Sequence, residues 1–92
     1  MEPSTIFRLR SDVRYRLLFS KAVVVRQSSL EVLALNESGA RVLELVASGV
    51  TAEALISTML EEYEVSRAAL QEDVSSFLQE LQEAGVVEST TA

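Results

Sequence analysis

The spacing of hydrophobic residues changes once along the chain, near residue 36. In Val13–Leu17, apolar and basic side chains alternate, which is typical of a strand with one buried face. Two further apolar runs follow at 21–26 and 31–35, separated by the polar segment 27–29. Runs joined by short polar segments predict an antiparallel meander of three strands. Because three strands with one apolar face are marginal alone, a second layer must cover them.

From Asn36 onward, apolar side chains recur every three or four residues, which predicts amphipathic helices. Gly49 and Gly85 are placed to end the first and third helices in the left-handed conformation. A side-chain oxygen precedes each apolar stripe and can cap the free N–H groups there. The candidate caps are Asn36 or Ser38 for the first helix, Thr51 for the second and Ser66 for the third.

The order of these elements predicts an α+β fold: a three-stranded antiparallel β-meander followed by three α-helices. Ninety-two residues are enough for one domain, spanning 1–92, which buries roughly 60 to 65% of the surface of its unfolded chain. The two ends, 1–10 and 88–92, show no clear periodicity and are expected to be less ordered.

Composition indicates the type of core and the cellular compartment of the protein. Hydrophobic residues make up 48% of the chain and aromatic residues only 5%, so the core must be mainly aliphatic. No apolar run approaches the ~20 residues of a membrane span, and no secretory signal is visible at the N-terminus. Cysteine is absent, which is compatible with a reducing compartment. We therefore expect a cytoplasmic protein without a membrane partner.

Charge is distributed unevenly. Residues 1–30 carry six cations and two carboxylates, whereas residues 31–92 carry two cations and twelve carboxylates. The predicted third helix, Ser66 to Ala84, has Arg67 as its only cation, against four acidic residues. Because duplex binding requires a basic face, nucleic acid is not an expected partner. The acidic surface can simply be solvated, or the basic first third can meet an acidic peptide or protein.

The side chains that usually carry catalysis are missing. Without histidine and cysteine, imidazole and thiolate nucleophiles and metal sites are excluded. The three glycines stand alone rather than in a phosphate-binding loop. The carboxylate pairs fall on polar helix faces, where nothing raises a pKa into a working range: Glu61-Glu62, Glu72-Asp73 and Glu80 with Glu83. We expect no enzymatic activity, no metal and no cofactor, and a function exerted through a surface.

An open strand edge is the strongest candidate surface. The run Glu31, Val32, Leu33, Ala34 and Leu35 has Leu33 and Leu35 on one face, and contains neither proline nor lysine to block pairing. An extended peptide could add to this edge through main-chain hydrogen bonds. Alternatively, the edge is covered internally or pairs with Ile6–Leu9. The residue pattern alone leaves these readings open.

The order and spacing of several positions resemble a known family. They are Leu35-Asn36 followed by Gly39-Ala40, Gly49 followed by Thr51, Tyr63, Asp73-Val74, Phe77-Leu78, Leu81 and Gly85. With the preceding VVVRQSSLEVLALN segment they cover about three quarters of the chain, and together they resemble the PqqD family. Members of that family are small peptide chaperones of ribosomally made natural-product pathways.

The resemblance implies a winged-helix-like fold that recognises precursor peptides. The leader segment of the precursor is expected to add as a strand at Glu31 to Leu35, in a groove walled by the third helix. Presentation to a peptide-modifying enzyme would follow, which in the quinone-type pathways of the family is often a radical S-adenosylmethionine enzyme. The implied helix contacts are Val74, Phe77, Leu78 and Leu81, with Arg67 available for an acidic leader residue.

Two departures leave the pathway undefined. Leu43 occupies a position where lasso-peptide members often carry tryptophan, and no cysteine lies near Gly49, as it often does in quinone-pathway members. Two alternative functions remain: a winged-helix DNA-binding or regulatory domain, and a structural subunit whose strand edge pairs with its own copy. We expect a monomer or a weak homodimer.

Overall fold

The computed structural model describes residues 2–90 of the chain. Its elements, in chain order, are β1 (Ile6–Leu9), β2 (Val13–Leu18), β3 (Lys21–Arg26), β4 (Glu31–Leu35), α1 (Glu37–Ala47), β5 (Val50–Thr51), α2 (Ala52–Glu62), α3 (Arg67–Glu83) and β6 (Val87–Thr90).

The predicted meander is confirmed. β2, β3 and β4 form an antiparallel sheet in that order, with Val24 of β3 opposite Tyr15 on one side and Leu33 on the other. Ala22 and Val24 are each only 1% exposed. Since alternate residues share a sheet face, Leu33 and Leu35 of β4 lie on this same buried face.

The three predicted helices and their caps are also confirmed. Of the two candidates for the first helix, Asn36 is the cap. Each cap side chain accepts a hydrogen bond from the backbone N–H three residues later: Asn36 from Gly39 at 3.0 Å, Thr51 from Ala54 at 3.1 Å and Ser66 from Ala69 at 3.2 Å. The α+β architecture predicted from the sequence is therefore the one observed.

A second sheet, which the sequence did not predict, joins the two ends of the chain. β1 pairs antiparallel with β5 on one side and β6 on the other, with Leu9 opposite Val87. Of the ends 1–10 and 88–92, which we expected to be less ordered, Ile6–Leu9 lies in β1 and 88–90 lies in β6, while residues 1, 91 and 92 lie outside the described part. The suggested pairing of β4 with Ile6–Leu9 is wrong, because β1 is already paired on both edges.

The core lies between the buried face of the meander, the helices and the second sheet. Its largest fully buried side chains come from β3, the three helices and the residue before β6: Val24, Leu43, Val46, Leu55, Ile56, Leu78 and Val86. Of the helices within residues 2–90, none is long and apolar enough to cross a membrane.

Arg26, at the end of β3, ties the sheet to the end of α3. Its guanidinium donates to the Ala84 carbonyl at 3.1 Å and lies 3.4 Å from the Glu31 carboxylate. The next residue, Gly85, has a φ of +75°, and a Cβ there would lie 2.6 Å from the Arg26 Cζ. Glycine is needed at this position both for the left-handed turn and for the approach of the arginine. The contact fixes the end of α3 over the sheet.

Candidate functional site

β4 forms one edge of its sheet, and within residues 2–90 only β3 pairs with it. The turn between β2 and β3 has two residues, so Leu18 and Lys21 are its hydrogen-bonded closing pair. Hydrogen bonding alternates along an antiparallel ladder, so Val23 and Val25 bond to β2 rather than to β4. Their partners Ala34 and Val32 therefore direct their backbone N–H and C=O groups outward, where another strand can bind.

A groove of about 570 Å³ runs between this edge and α3. Leu33 and Leu35 form one wall, and Val74, Phe77 and Leu81 form the other. The rest of the lining comes from the start of α1, the end of α2 and the segments beside them: Asn36, Ser38, Gly39, Val42, Met59, Tyr63, Val65, Leu70, Asp73, Glu80 and Ala84, with Ala34 at the rim of β4. The groove is thus mainly apolar, and a strand edge lies along one side.

The groove floor depends on one glycine. A Cβ on Gly39 would lie 3.0 Å from the Phe77 ring end and 3.4 Å from both Leu35 Cβ and the Asn36 side-chain oxygen. The absence of a side chain lets Phe77 of α3 approach the first turn of α1. Phe77 is half-buried, whereas Val74 and Leu81 are buried. Its ring therefore offers the largest accessible apolar surface on that wall.

An ion pair connects the helices next to the groove. The Arg41 guanidinium on α1 donates to both carboxylate oxygens of Glu62, at the end of α2, with distances of 2.8 and 2.6 Å. These hydrogen bonds lower the pKa of Glu62 and raise the pKa of Arg41. Glu62 is followed by Tyr63 of the groove lining, so the bidentate pair holds the end of α2 in place.

The structure brings together six of the ten residues predicted to bind a peptide. Leu33, Ala34, Leu35, Val74, Phe77 and Leu81 all line the groove. Glu31 and Val32 lie on the same strand edge but outside the lining, and Val32 is 63% exposed.

Leu78 and Arg67 lie elsewhere. Leu78 is 1% exposed and belongs to the core, facing the side of α3 near Phe7 and Ser89. Adjacent helical residues are ~100° apart, so Leu78 cannot share the direction of Phe77. Arg67, at the first turn of α3, is 3.6 Å from the carboxylate of Glu53 on α2 and does not line the groove.

Several lining residues were missed from the sequence. Met59 and Tyr63 follow the helical spacing of α2, a pattern that core residues and groove residues share. Asp73 and Glu80 lie seven residues apart on α3, beside Val74 and Leu81. This spacing puts them next to the predicted apolar wall and could have identified them as its rim.

Comparison with protein families gives a match to the model for coenzyme PQQ synthesis protein D (PqqD) over residues 21–87. The chain belongs to the PqqD family. The match includes β3, β4 and all three helices, and so contains both walls of the groove. No curated protein sequence matches the chain.

Two solved structures share the PqqD-like fold. TbiB1 in complex with the TbiA(beta) leader peptide has a TM-score of 0.84 and 21% identity, with 88% of this chain and 94% of that chain covered. Lasso peptide synthetase B1 complexed with the leader peptide has a TM-score of 0.79 and 24% identity, with 89% and 96% covered. At these identities the likeness establishes the fold.

Proposed function

We propose that this chain binds the leader segment of a ribosomally made precursor peptide as an added strand beside β4. The observation that carries the proposal is the outward-facing N–H and C=O groups of Val32 and Ala34 next to an apolar groove. Main-chain bonding supplies general affinity, and alternate side chains entering the groove supply selectivity. The leader peptides bound to the two similar structures support this choice of ligand.

The proposed contacts follow the geometry of the groove. The backbone of Glu31 to Leu35 pairs with the peptide, while Leu33, Leu35, Val74, Phe77 and Leu81 receive its apolar side chains. A disordered leader loses ~1 to 2 kcal/mol of backbone entropy per ordered residue, so two or three apolar anchors are needed for measurable binding. A Kd in the micromolar range, about −8 kcal/mol, is the expected affinity.

In this role the chain is a chaperone and the chemistry belongs to a partner. The sequence has no histidine or cysteine to act as nucleophile or proton carrier. We propose that the bound leader is presented to a separate peptide-modifying enzyme. A radical S-adenosylmethionine enzyme is the candidate implied by the quinone-pathway members of the family.

The test is a titration of the full chain with fluorescent leader peptides taken from short reading frames found beside its gene. We expect saturable binding in the low micromolar range, and no binding when the precursor core without its leader is used. Absence of saturation up to about 100 μM leader would contradict the proposal. A mobility-shift assay with duplex DNA at low salt tests the regulatory alternative, for which salt-dependent binding would be required.

Self-association through the same edge is the second alternative. Sedimentation of the chain with and without leader separates the two uses of β4. A monomer that binds leader supports the proposal, whereas a tight dimer that leader does not dissociate would favour a structural subunit.

A further inference from the structure

The groove carries negative charge as well as an apolar lining. Its lining contains two carboxylates, Asp73 and Glu80, and neither lysine nor arginine. Both acidic residues are exposed, and in the described part of the chain neither has a cation within 4.0 Å.

The arginines of β3, α1 and α3 are paired with other carboxylates. Arg26 lies 3.4 Å from Glu31, and Arg41 lies 2.6 Å from Glu62. Arg67, the residue predicted to meet an acidic leader, lies 3.6 Å from Glu53. The groove therefore keeps two negative charges without a counterion from the protein.

The charges of α3 also oppose the preference of its helix dipole. A helix favours acidic residues at its start and basic residues at its end. α3 has no acidic residue in its first turn and no basic residue in its last turn, which instead contains Glu80 and Glu83. Residues that weaken a helix locally are often retained for a function. The Arg26 guanidinium, which donates to the Ala84 carbonyl, offsets the negative end of the dipole, so the negative potential of the groove rim comes from the Asp73 and Glu80 carboxylates.

From these observations we propose that the groove selects leader segments that combine apolar anchors with basic side chains. The inference rests on the proposed leader-binding function and specifies its substrate class. Asp73 and Glu80 are seven residues apart on one helix, a separation of about 10.5 Å along its axis. A strand covers this distance in about three residues, at ~3.3 Å each. Side chains on one face of a strand recur every two residues, so lysines or arginines two or four residues apart, about 6.6 or 13 Å, face the same way. Their long side chains can then reach both carboxylates.

A displayed library of random twelve-residue peptides, selected on the full chain, tests this inference without a known leader. Selected peptides are mapped on the protein by amide chemical shifts. We expect shifts at Val32 to Leu35 and enrichment of lysine and arginine at positions two or four residues apart. Peptides that shift β4 without basic enrichment would overturn this inference alone. Peptides that all map away from β4 would overturn the proposed function together with it.

Matched variants locate the charges responsible. We expect the double variant Asp73→Asn, Glu80→Gln to bind the best basic peptide about five- to tenfold more weakly at low salt, with the difference lost at high salt. The control variant Glu72→Gln, Glu83→Gln changes two exposed α3 carboxylates outside the lining and should stay within about twofold. Equal effects of the two double variants would contradict the inference.

A charge swap gives a gain of function. In Glu80→Lys, replacing by glutamate only the basic peptide residue nearest position 80 should strengthen binding, whereas the same replacement weakens binding to the unmodified chain. Weaker binding in both chains would show that Glu80 does not read the charge of the peptide.

Discussion

The sheet β2–β3–β4 has two outer strands, and their surroundings differ. β4 lies beside the apolar groove, with its inward side chains Leu33 and Leu35 half-buried against the helices. β2 has no such neighbour, and its inward side chains Tyr15 and Leu17 are 38% and 40% exposed. On the other face β2 carries Arg14 and Arg16, and charged side chains discourage edge pairing.

Both strands offer free backbone groups, so an unpaired edge is insufficient to define a binding site. By the same alternation that applies to β4, the N–H of Tyr15 points outward from β2. What distinguishes β4 is α3, whose wall turns an edge into a groove with room for side chains. A peptide that added to β2 would gain backbone bonds and contact with Tyr15 and Leu17 but no second wall, which leaves less to repay the entropy of ordering it.

The largest expected effect comes from placing a proline on each edge. Ala34→Pro removes an outward N–H of β4 and should weaken leader binding at least about 30-fold, or about 2 kcal/mol. Tyr15→Pro removes an outward N–H of β2 and should leave affinity within about twofold. Fluorescence anisotropy measures both affinities, and circular dichroism checks that both variants fold. Equal losses for the two variants would abolish the distinction between the edges.

Neighbouring residues of α3 separate binding from stability. Phe77→Ala removes the accessible ring of the groove wall and should weaken leader binding about tenfold, or about 1.4 kcal/mol. Leu78→Ala leaves a cavity in the core and should lower the free energy of unfolding by about 2 to 5 kcal/mol, with little change in the affinity of the folded protein. Urea titration and anisotropy measure the two quantities. If Leu78→Ala reduced affinity as much as Phe77→Ala, the groove would be wrongly placed on α3.

The sequence was sufficient for the parts of the fold that depend on local signals. Alternation and short turns predicted the meander, and the Asn36, Thr51 and Ser66 caps marked the helix starts. β1 and β6 were missed because neither is stable alone and each finds its partner almost at the other end of the chain. Pairing over such a separation leaves no local pattern to detect.

The candidate site was predictable to the level of its elements. The apolar, unblocked run Glu31 to Leu35 and the resemblance to PqqD proteins identified both walls. The sequence could not show which of Phe77 and Leu78 faces the groove, because both positions fit the three- and four-residue spacing of an apolar helix face. Asp73 and Glu80 were read as part of a solvated face, since their missing counterions become visible only once the helices are packed.

A smaller effect is expected from loosening α3 where it meets the sheet. Arg26→Met removes the bond to the Ala84 carbonyl and the ion pair with Glu31, and should lower the free energy of unfolding by about 1 to 2 kcal/mol. Leader affinity should fall only a few-fold, because the groove walls remain. Arg16→Met on β2 is the control and should be near neutral. A larger loss for Arg16→Met would mean that the β2 edge contributes more to the fold than its exposure indicates.

The smallest effect concerns pH. A hydrogen bond from Ser28, helped by Arg26 and Arg10, lowers the pKa of Asp12 beside β2, and Arg41 lowers that of Glu62. A carboxyl group whose pKa is lower in the folded protein than in the unfolded chain stabilises the fold at pH values above the unfolded-chain pKa. This contribution disappears as the pH falls through the pKa of the folded protein. Stability should therefore be flat from pH 7 to 5 and fall below about pH 4. Urea midpoints across this range test the trend, which Asp12→Asn should make shallower. A steeper fall in that variant would contradict the assignment to Asp12.

Hydrogen exchange of the backbone amides, with and without leader, tests the central claim most directly. Strand addition at β4 should slow exchange at Val32 and Ala34 in the complex, while Tyr15 and Leu17 on β2 exchange as in the free protein. Unchanged exchange at Val32 and Ala34 under saturating leader would show that the peptide binds without pairing with β4.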